Sequence, residues 1–325
     1  MIKRKKSAIT LEEASRPPKD YDMCRDGITQ SLCANFLCCP LRGMLTINRW
    51  SDPAKAMSTR FGSMFHDCLD AVYTNGISDV KKIEKLLNNY IEEHAAEWGA
   101  DGKAELDAAL ASALFEVYIK HWKSDFSSKK FRSVERTAEA QFHEYKLRCK
   151  IDGEFSGKNA GSVWLMEHKT KSRIEEETLL QKITFDFQNL FYRNIYQIEH
   201  PKVRLSGTLY NIIRKPGHKM KGGETLKQFR DRLVVEIKKD PEHFFKRYQL
   251  AYTPQDDERF TRELLQKLKW IQNLINGNVP AWRNEFACET PYRCEFLAAC
   301  STGTMTGYVR RKALMEELND VREII

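Results

Sequence analysis

At 325 residues, 42% hydrophobic and 30% charged, the chain carries enough apolar material to bury a sizeable core, in one elaborated domain rather than two. Its net charge of +8 favours a polyanionic partner, and no window approaches the run of about 18 apolar residues that a membrane helix needs. Nine cysteines, with no apolar secretory segment in the opening MIKRKKSAITLEEASRPPKDYD, argue against a disulfide framework and for a reducing cytosol, where metal or cluster binding is the better reading.

A polar arm of roughly residues 1–25 reads as loose. After a segment containing Cys39, a helix is predicted from Thr59 to Tyr73, with Gly62 and His66 on it. Apolar residues at threes and fours predict two more helices, Val80–Trp98 and Lys103–Trp122, within a helical insertion over about 76–130. Three strands follow, Arg136–Glu144, Tyr145–Phe155 and Ser162–Lys169. The middle one alternates charged with small or apolar residues and breaks at Gly153. The third is apolar from Val163 to Met166 and then enters Glu167, His168 and Lys169.

Gly153, Gly157, Asn159 and Gly161 suit a hairpin that lays Asp152 beside Glu167 and Lys169, and a period of two puts Glu167 and Lys169 on one face. A single long helical pattern, Glu176–Ile198, gives Gln188 and Tyr192 a shared face. Next come a strand over Val203–Ile213 and a basic, glycine-containing loop over Lys215–Glu224. Helices over Leu226–Lys238 and Asp256–Asn276 flank a short strand, Phe245–Tyr252. The chain then enters a loop with Cys288, Cys294 and Cys300 and ends in a tail or helix over 301–325.

Asp152, Glu167 and Lys169 read as a metal-dependent phosphodiesterase site. A scissile phosphate is anionic and repels hydroxide. Two carboxylates hold Mg²⁺ or Mn²⁺, which neutralises developing charge and acidifies a bound water, and a nearby lysine orients or deprotonates that water. Glu135 stands as a further acidic contributor. Basic residues gather at Lys169 to Arg173, beside these groups. Cys288, Cys294 and Cys300 are spaced to surround one soft metal centre, with zinc the alternative to a cluster. Cys24, Cys33, Cys68 and Cys149 have no such spacing and read as core. There is no repeat, phosphate-binding Walker loop or helicase signature, so unwinding is expected from a partner.

Taken in order, these elements make the chain resemble a PD-(D/E)XK nuclease of the RecB-like branch, which includes recombination nucleases, CRISPR-associated adaptation exonucleases and phage exonucleases. Gly62-Ser63-Met64-Phe65-His66 matches its G-x-x-x-H element and Ile151-Asp152-Gly153 its metal-binding aspartate. Glu167-His168-Lys169 matches its E-x-K, and Gln188-Asn189-Leu190-Phe191-Tyr192 its Q-x-x-x-Y.

The resemblance implies an α/β fold with a restriction-endonuclease-like core, a mixed sheet flanked by helices, over residues 26–300. It implies a metal-dependent DNA exonuclease. Asp152 and Glu167 would hold the ion, His66 would be an added ligand that accompanies exonuclease behaviour, and the carbonyl of His168 would add an oxygen. Lys169 would act on the nucleophile, and Gln188 and Tyr192 would place the DNA.

In iron–sulfur members of the branch, three C-terminal cysteines and one far upstream hold a [4Fe-4S] cluster. Cys39, followed by Pro40, fits that position beside Cys288, Cys294 and Cys300, with the adjacent Cys38 a rival. Both gaps between the C-terminal cysteines are longer than in the familiar pattern, which leaves the cluster type open. The expected substrate is DNA ends or single strands in recombination, repair or phage DNA processing, in the cytoplasm of a bacterial or phage-infected cell. A helicase or recombination partner and an oligomer are compatible with this. Two other readings stand: a catalytically weak DNA-binding or scaffold subunit, and a redox or zinc module on an unrelated fold.

Overall fold

The computed structural model describes residues 9–76, 79–95, 102–127, 129–157, 161–289, 293–315 and 318. Asn159 of the expected turn, the end of the expected helix at Trp98, and residues 319–325 of the tail lie outside them.

The N-terminal part contains α1 (Leu11–Ala14), β1 (Ile28–Thr29), α2 (Gln30–Cys38), α3 (Pro40–Ile47) and β2 (Trp50–Ser51). Thr29 caps α2 by accepting from the Leu32 N–H, and Pro40 opens α3, where its missing N–H is not needed. Next comes α4 (Pro53–Asn75), and the insertion then supplies α5 (Val80–Glu93), α6 (Lys103–His121) and the short α7 (Lys123–Ser127). Strands β3 (Phe131–Phe142) and β4 (Tyr145–Ser156) then form a hairpin that turns at His143 and Glu144.

After β5 (Ser162–Lys171) come α8 (Glu176–Ile183), α9 (Phe187–Glu199) and β6 (Arg204–Arg214). The rest is α10 (Leu226–Lys239), α11 (Pro241–Phe244), β7 (Phe245–Leu250), α12 (Pro254–Ile275), α13 (Leu297–Thr302) and β8 (Val309–Arg310). Thr225 and Gln228 form a capping box at α10, and Thr253 with Asp256 forms one at α12.

Strand pairing creates one decisive feature. β4 is antiparallel to β3 along its length, but its other edge changes partner. β1 runs parallel to it at Leu147 and Arg148, whereas β5 runs antiparallel to it only from Gly153 to Ser156. Between those contacts the edge opens into a fork. β5 continues past the fork in parallel with β6, and β6 pairs antiparallel with β7. The result is the expected mixed sheet flanked by helices.

Each face of the sheet is covered by its own core. On one side α2, α9 and α12 bring Phe36, Phe191 and Leu268 onto Leu147 and Ile151. On the other α4, α6 and α10 bring Phe65, Phe115 and Phe229 onto Met166 and Ile213. Each such buried side chain contributes roughly 1.5–3 kcal/mol. A third cluster joins the two ends of the chain: Leu11, Leu45 and Trp50 pack with Phe296, Ala299 and Met305.

Four expectations change. Gly153 does not break β4, which runs on to Ser156. A Cβ there would meet Met166 Cβ and Phe131 Cε1 at 3.3 Å, so the glycine admits close packing within the strand. The pattern Glu176–Ile198 is two helices, because Asp186 caps a new one by accepting from the Asn189 N–H at 2.9 Å. Residues 9–25 are tied down, with Leu11, Ala14, Tyr21 and Met23 buried. Cys24 is exposed, whereas Cys33, Cys68 and Cys149 are buried.

Candidate active site

The fork positions the acidic pair. Gly153 faces Met166 at the last rung between β4 and β5, so Asp152 and Glu167 are the first residues beyond it on the two arms. The Asp152 carboxylate is fixed by the His168 N–H, which donates to Oδ2 at 2.7 Å. Glu167 and Lys169 do share a face, and Lys169 Nζ lies 2.5 Å from Glu167 Oε1.

From α9 the Gln188 amide spans this pair. Its Nε2 donates to Glu167 Oε1 at 2.8 Å and to the Tyr192 hydroxyl at 3.0 Å, and its Oε1 accepts from Lys169 Nζ at 2.7 Å. Four residues of separation on one helix give Gln188 and Tyr192 this common aim.

His66 comes from α4 on the opposite face and reaches the mouth of the fork, with Nδ1 4.0 Å from Asp152 Oδ2. Gly62 allows that approach, since a Cβ there would stand 3.2 Å from Thr170 Oγ1. Ligand atoms of His66, Asp152 and Glu135 all lie within 4.8 Å of one another.

Glu135 is drawn in by its backbone. It has φ of 50° in the middle of β3, a left-handed conformation rare for residues other than glycine, and Lys150 Nζ lies 2.6 Å from its Oε2. The cost of such a conformation is about 1–3 kcal/mol, and residues of this kind concentrate at functional sites.

The electrostatics suit a cation. Burial, then the charge of Glu135, raises the Asp152 carboxyl well above its usual range. Burial also raises Glu167, against the pull of Lys169 and with the push of Asp152. At Lys169 burial works against the charge, but Glu167, Tyr210 and Asp152 outweigh it and raise the ammonium. Burial and Lys169 push His66 down to about 4, which leaves a neutral imidazole able to ligate.

The His168 imidazole faces away from the carboxylates into a buried network that sequence reasoning missed. Its Nδ1 lies 2.7 Å from Asn211 Nδ2, and Arg247 Nε donates to Asn211 Oδ1 at 2.9 Å. Arg247 also bonds both oxygens of Asp125, and Tyr73 stacks on the His168 ring. Burial holds His168 well below its ordinary value, so the ring stays neutral.

Against the cluster that joins the terminal segments, Cys39, Cys288, Cys294 and Cys300 line one cavity of about 80 Å³, together with Arg42 and Arg283. Cys38 is not among the lining residues. Its sulfur accepts instead from Arg42 Nη1 at 3.8 Å. The four thiols fall short of the mutual closeness that His66, Glu135 and Asp152 reach: among the described residues, that trio alone meets the 4.8 Å spacing. The Arg42 Nε is buried and, among the described residues, has no hydrogen-bond partner.

Among the described residues, no helix is long and apolar enough to cross a membrane. No curated protein matches the chain. One similar solved structure is that of a candidate exonuclease from Eubacterium rectale, at 13% identity over 82% of this chain and 88% of that one, with a TM-score of 0.49. The family model of the PD-(D/E)XK nuclease superfamily matches residues 28–301, which includes every arm of the fork and all four cavity cysteines. The protein belongs to the PD-(D/E)XK nuclease superfamily.

Proposed function

We propose that this protein is a metal-dependent DNA exonuclease acting on DNA ends or single strands. The observation that carries the reading is the pair of buried carboxylates, Asp152 and Glu167, set on the two arms of a forked strand pair with Lys169 against them. Buried carboxylates whose protons are held by desolvation favour a divalent cation.

Asp152, Glu167, His66 and Glu135 would hold Mg²⁺ or Mn²⁺, and the carbonyl of His168 would add an oxygen. These are hard oxygen donors with one neutral imidazole, a set that suits either ion. When bound, the ion acidifies water and offsets charge on the phosphate. The chain's own groups do the rest. Lys169 orients the attacking water and stabilises negative charge on the phosphoryl oxygens. Gln188 holds Lys169 and Glu167 in register, and Tyr192 orients Gln188 and the DNA strand. With Nδ1 engaged by Asn211, His168 keeps its ring out of the chemistry.

A second centre is part of this proposal. Cys39, Cys288, Cys294 and Cys300 would hold a [4Fe-4S] cluster, with Cys38 outside the ligand set. Zinc is the alternative occupant, since four thiolates also suit a closed tetrahedral site. Arg42 and Arg283 suit the negative charge of a thiolate-ligated cluster, and the unpartnered Arg42 Nε is a ready donor toward it.

The test is digestion of end-labelled single- and double-stranded DNA with Mg²⁺ or Mn²⁺ by anaerobically purified protein, beside Asp152→Ala and Lys169→Ala. Progressive, end-dependent products lost in both variants would support the reading. DNA binding without cleavage by the cluster-loaded wild type would overturn it in favour of a scaffold subunit.

A further inference from the structure

Phe185 presents a ring that the fold leaves outside, 66% exposed. It occupies the three-residue joint between α8 and α9, residues 184–186. The joint is held from both sides: the Phe185 N–H donates to the Lys182 carbonyl at 3.3 Å, and Asp186 caps α9. Three residues on, Gln188 touches both Glu167 and Lys169. The Asp186 carboxylate acts electrostatically on Glu167, Lys171 and Tyr210, which sets the joint over the carboxyl end of β5. Among the described residues, the Phe185 ring has no aromatic or cationic partner.

Single exposed apolar residues are common and need no explanation. The surroundings of this one are unusual. β5 ends with Lys169 and Lys171 at alternate positions, Arg173 follows just past its end, and Lys182 lies close enough to Lys171 to oppose its charge, along with burial and Lys169. Convergent ammonium groups are relieved by a polyanion, and an aromatic face among them is the arrangement that binds an unpaired base. A duplex offers no free base face at that point, since each base is stacked on its neighbours.

We propose that Phe185 stacks on an unpaired base next to the scissile phosphate while Lys171 and Lys182 contact the flanking phosphates, so that the site takes single-stranded DNA or a frayed end. The proposal rests on the nuclease reading of the fork, and it names that site's substrate class.

The test uses full-length, cluster-loaded wild type, Phe185→Ala and Phe185→Trp. Oligonucleotides carrying 2-aminopurine at successive positions from one end are bound with Ca²⁺ to prevent turnover, and KM and kcat are measured with Mg²⁺. Stacking worth a single base predicts a KM about tenfold higher in Phe185→Ala with kcat little changed. It also predicts 2-aminopurine quenching at one position in wild type and Phe185→Trp but not in Phe185→Ala. Equal KM and equal quenching in Phe185→Ala would overturn it, as would a wild type that cleaves blunt duplex better than single strands. If the wild type binds DNA but cleaves nothing, the nuclease reading fails while the quenching still decides whether Phe185 stacks. An unchanged melting temperature in Phe185→Ala shows that the fold is intact.

Discussion

The His168 N–H donates to Asp152 Oδ2 across the mouth of the fork, at 2.7 Å. One backbone group of β5 thereby aims the carboxylate of β4 where the strand ladder has ended. The Asp152 side chain completes the strand pairing and holds charge there at the same time, so its substitution affects stability and catalysis in opposite directions.

Asp152→Asn keeps an acceptor for the His168 N–H and removes a buried charge that Glu135 and Glu167 disfavour. Activity is expected to fall by ~10³-fold or more, in line with loss of a principal electrostatic contributor. The metal-free variant should melt higher than metal-free wild type. Calorimetry with and without Mg²⁺ checks this: wild type gains stability on adding the ion, and the variant gains little.

The same groups set a pH dependence. In metal-free protein burial lifts both the Asp152 and Glu167 carboxyls, Glu135 adding to the first and Asp152 to the second, well above the value of about 4 in an unfolded chain. A raised carboxyl stabilises the fold fully below its unfolded value, and the contribution disappears as pH rises through its folded value. Metal-free protein should therefore lose stability from this pair as pH rises from about 4 through the two raised folded values, and Mg²⁺ should restore it. Titration calorimetry in two buffers of different ionisation enthalpy should show proton release on metal binding at pH 7. Buffer-independent heats would count against metal binding to this pair.

Behind the site, Asp125 and Arg247 form a buried pair, with side chains 0% and 7% exposed. Asp125→Ala strands the guanidinium and should cost about 3–5 kcal/mol in urea unfolding. Burial opposes the Asp125 charge, but Arg247 and Lys129 outweigh it and lower the carboxyl. Its stabilisation is thus present above the unfolded carboxylate value and lost as pH falls through the lower folded value. In Asp125→Ala that part of the acid sensitivity should vanish.

At the cysteine cavity, Cys39→Ser and Cys294→Ser should lose iron, labile sulfide and the broad visible absorbance that dithionite bleaches. Cys38→Ser should retain all three. Colourless wild type containing zinc would place the cavity in the zinc class instead.

Local pattern was enough to read much of the site. Asp152, Glu167 and Lys169 sit on strands whose alternation shows in the chain, and the shared face of Gln188 and Tyr192 follows from helical spacing, whereas their choice as site residues rested on the family resemblance. The missed features arise over longer distances. Glu135 was expected as an acidic contributor, but the left-handed backbone that brings it to the site is something no side-chain pattern signals. The Arg247 network collects Tyr73, Tyr118, Asp125, His168 and Asn211 from five separate elements, and each looks ordinary in its own segment. The break between α8 and α9 did have a signal: Asp186 stands three residues before Asn189, whose N–H it accepts. The periodicity of the flanking apolar residues masked it.

The seam between the chain's two ends has a mechanical consequence. Thr10 bridges to Thr304, the Leu11 N–H donates to the Gly303 carbonyl, and Trp50 pairs with Arg310. Tension applied between residue 9 and residue 310 would load these few contacts first, and the cysteine cavity lies directly against them. The seam acts as a latch that bypasses the sheet. Force arriving through either end is taken up there, and the fork that carries Asp152 and Glu167 is reached only after the latch has opened.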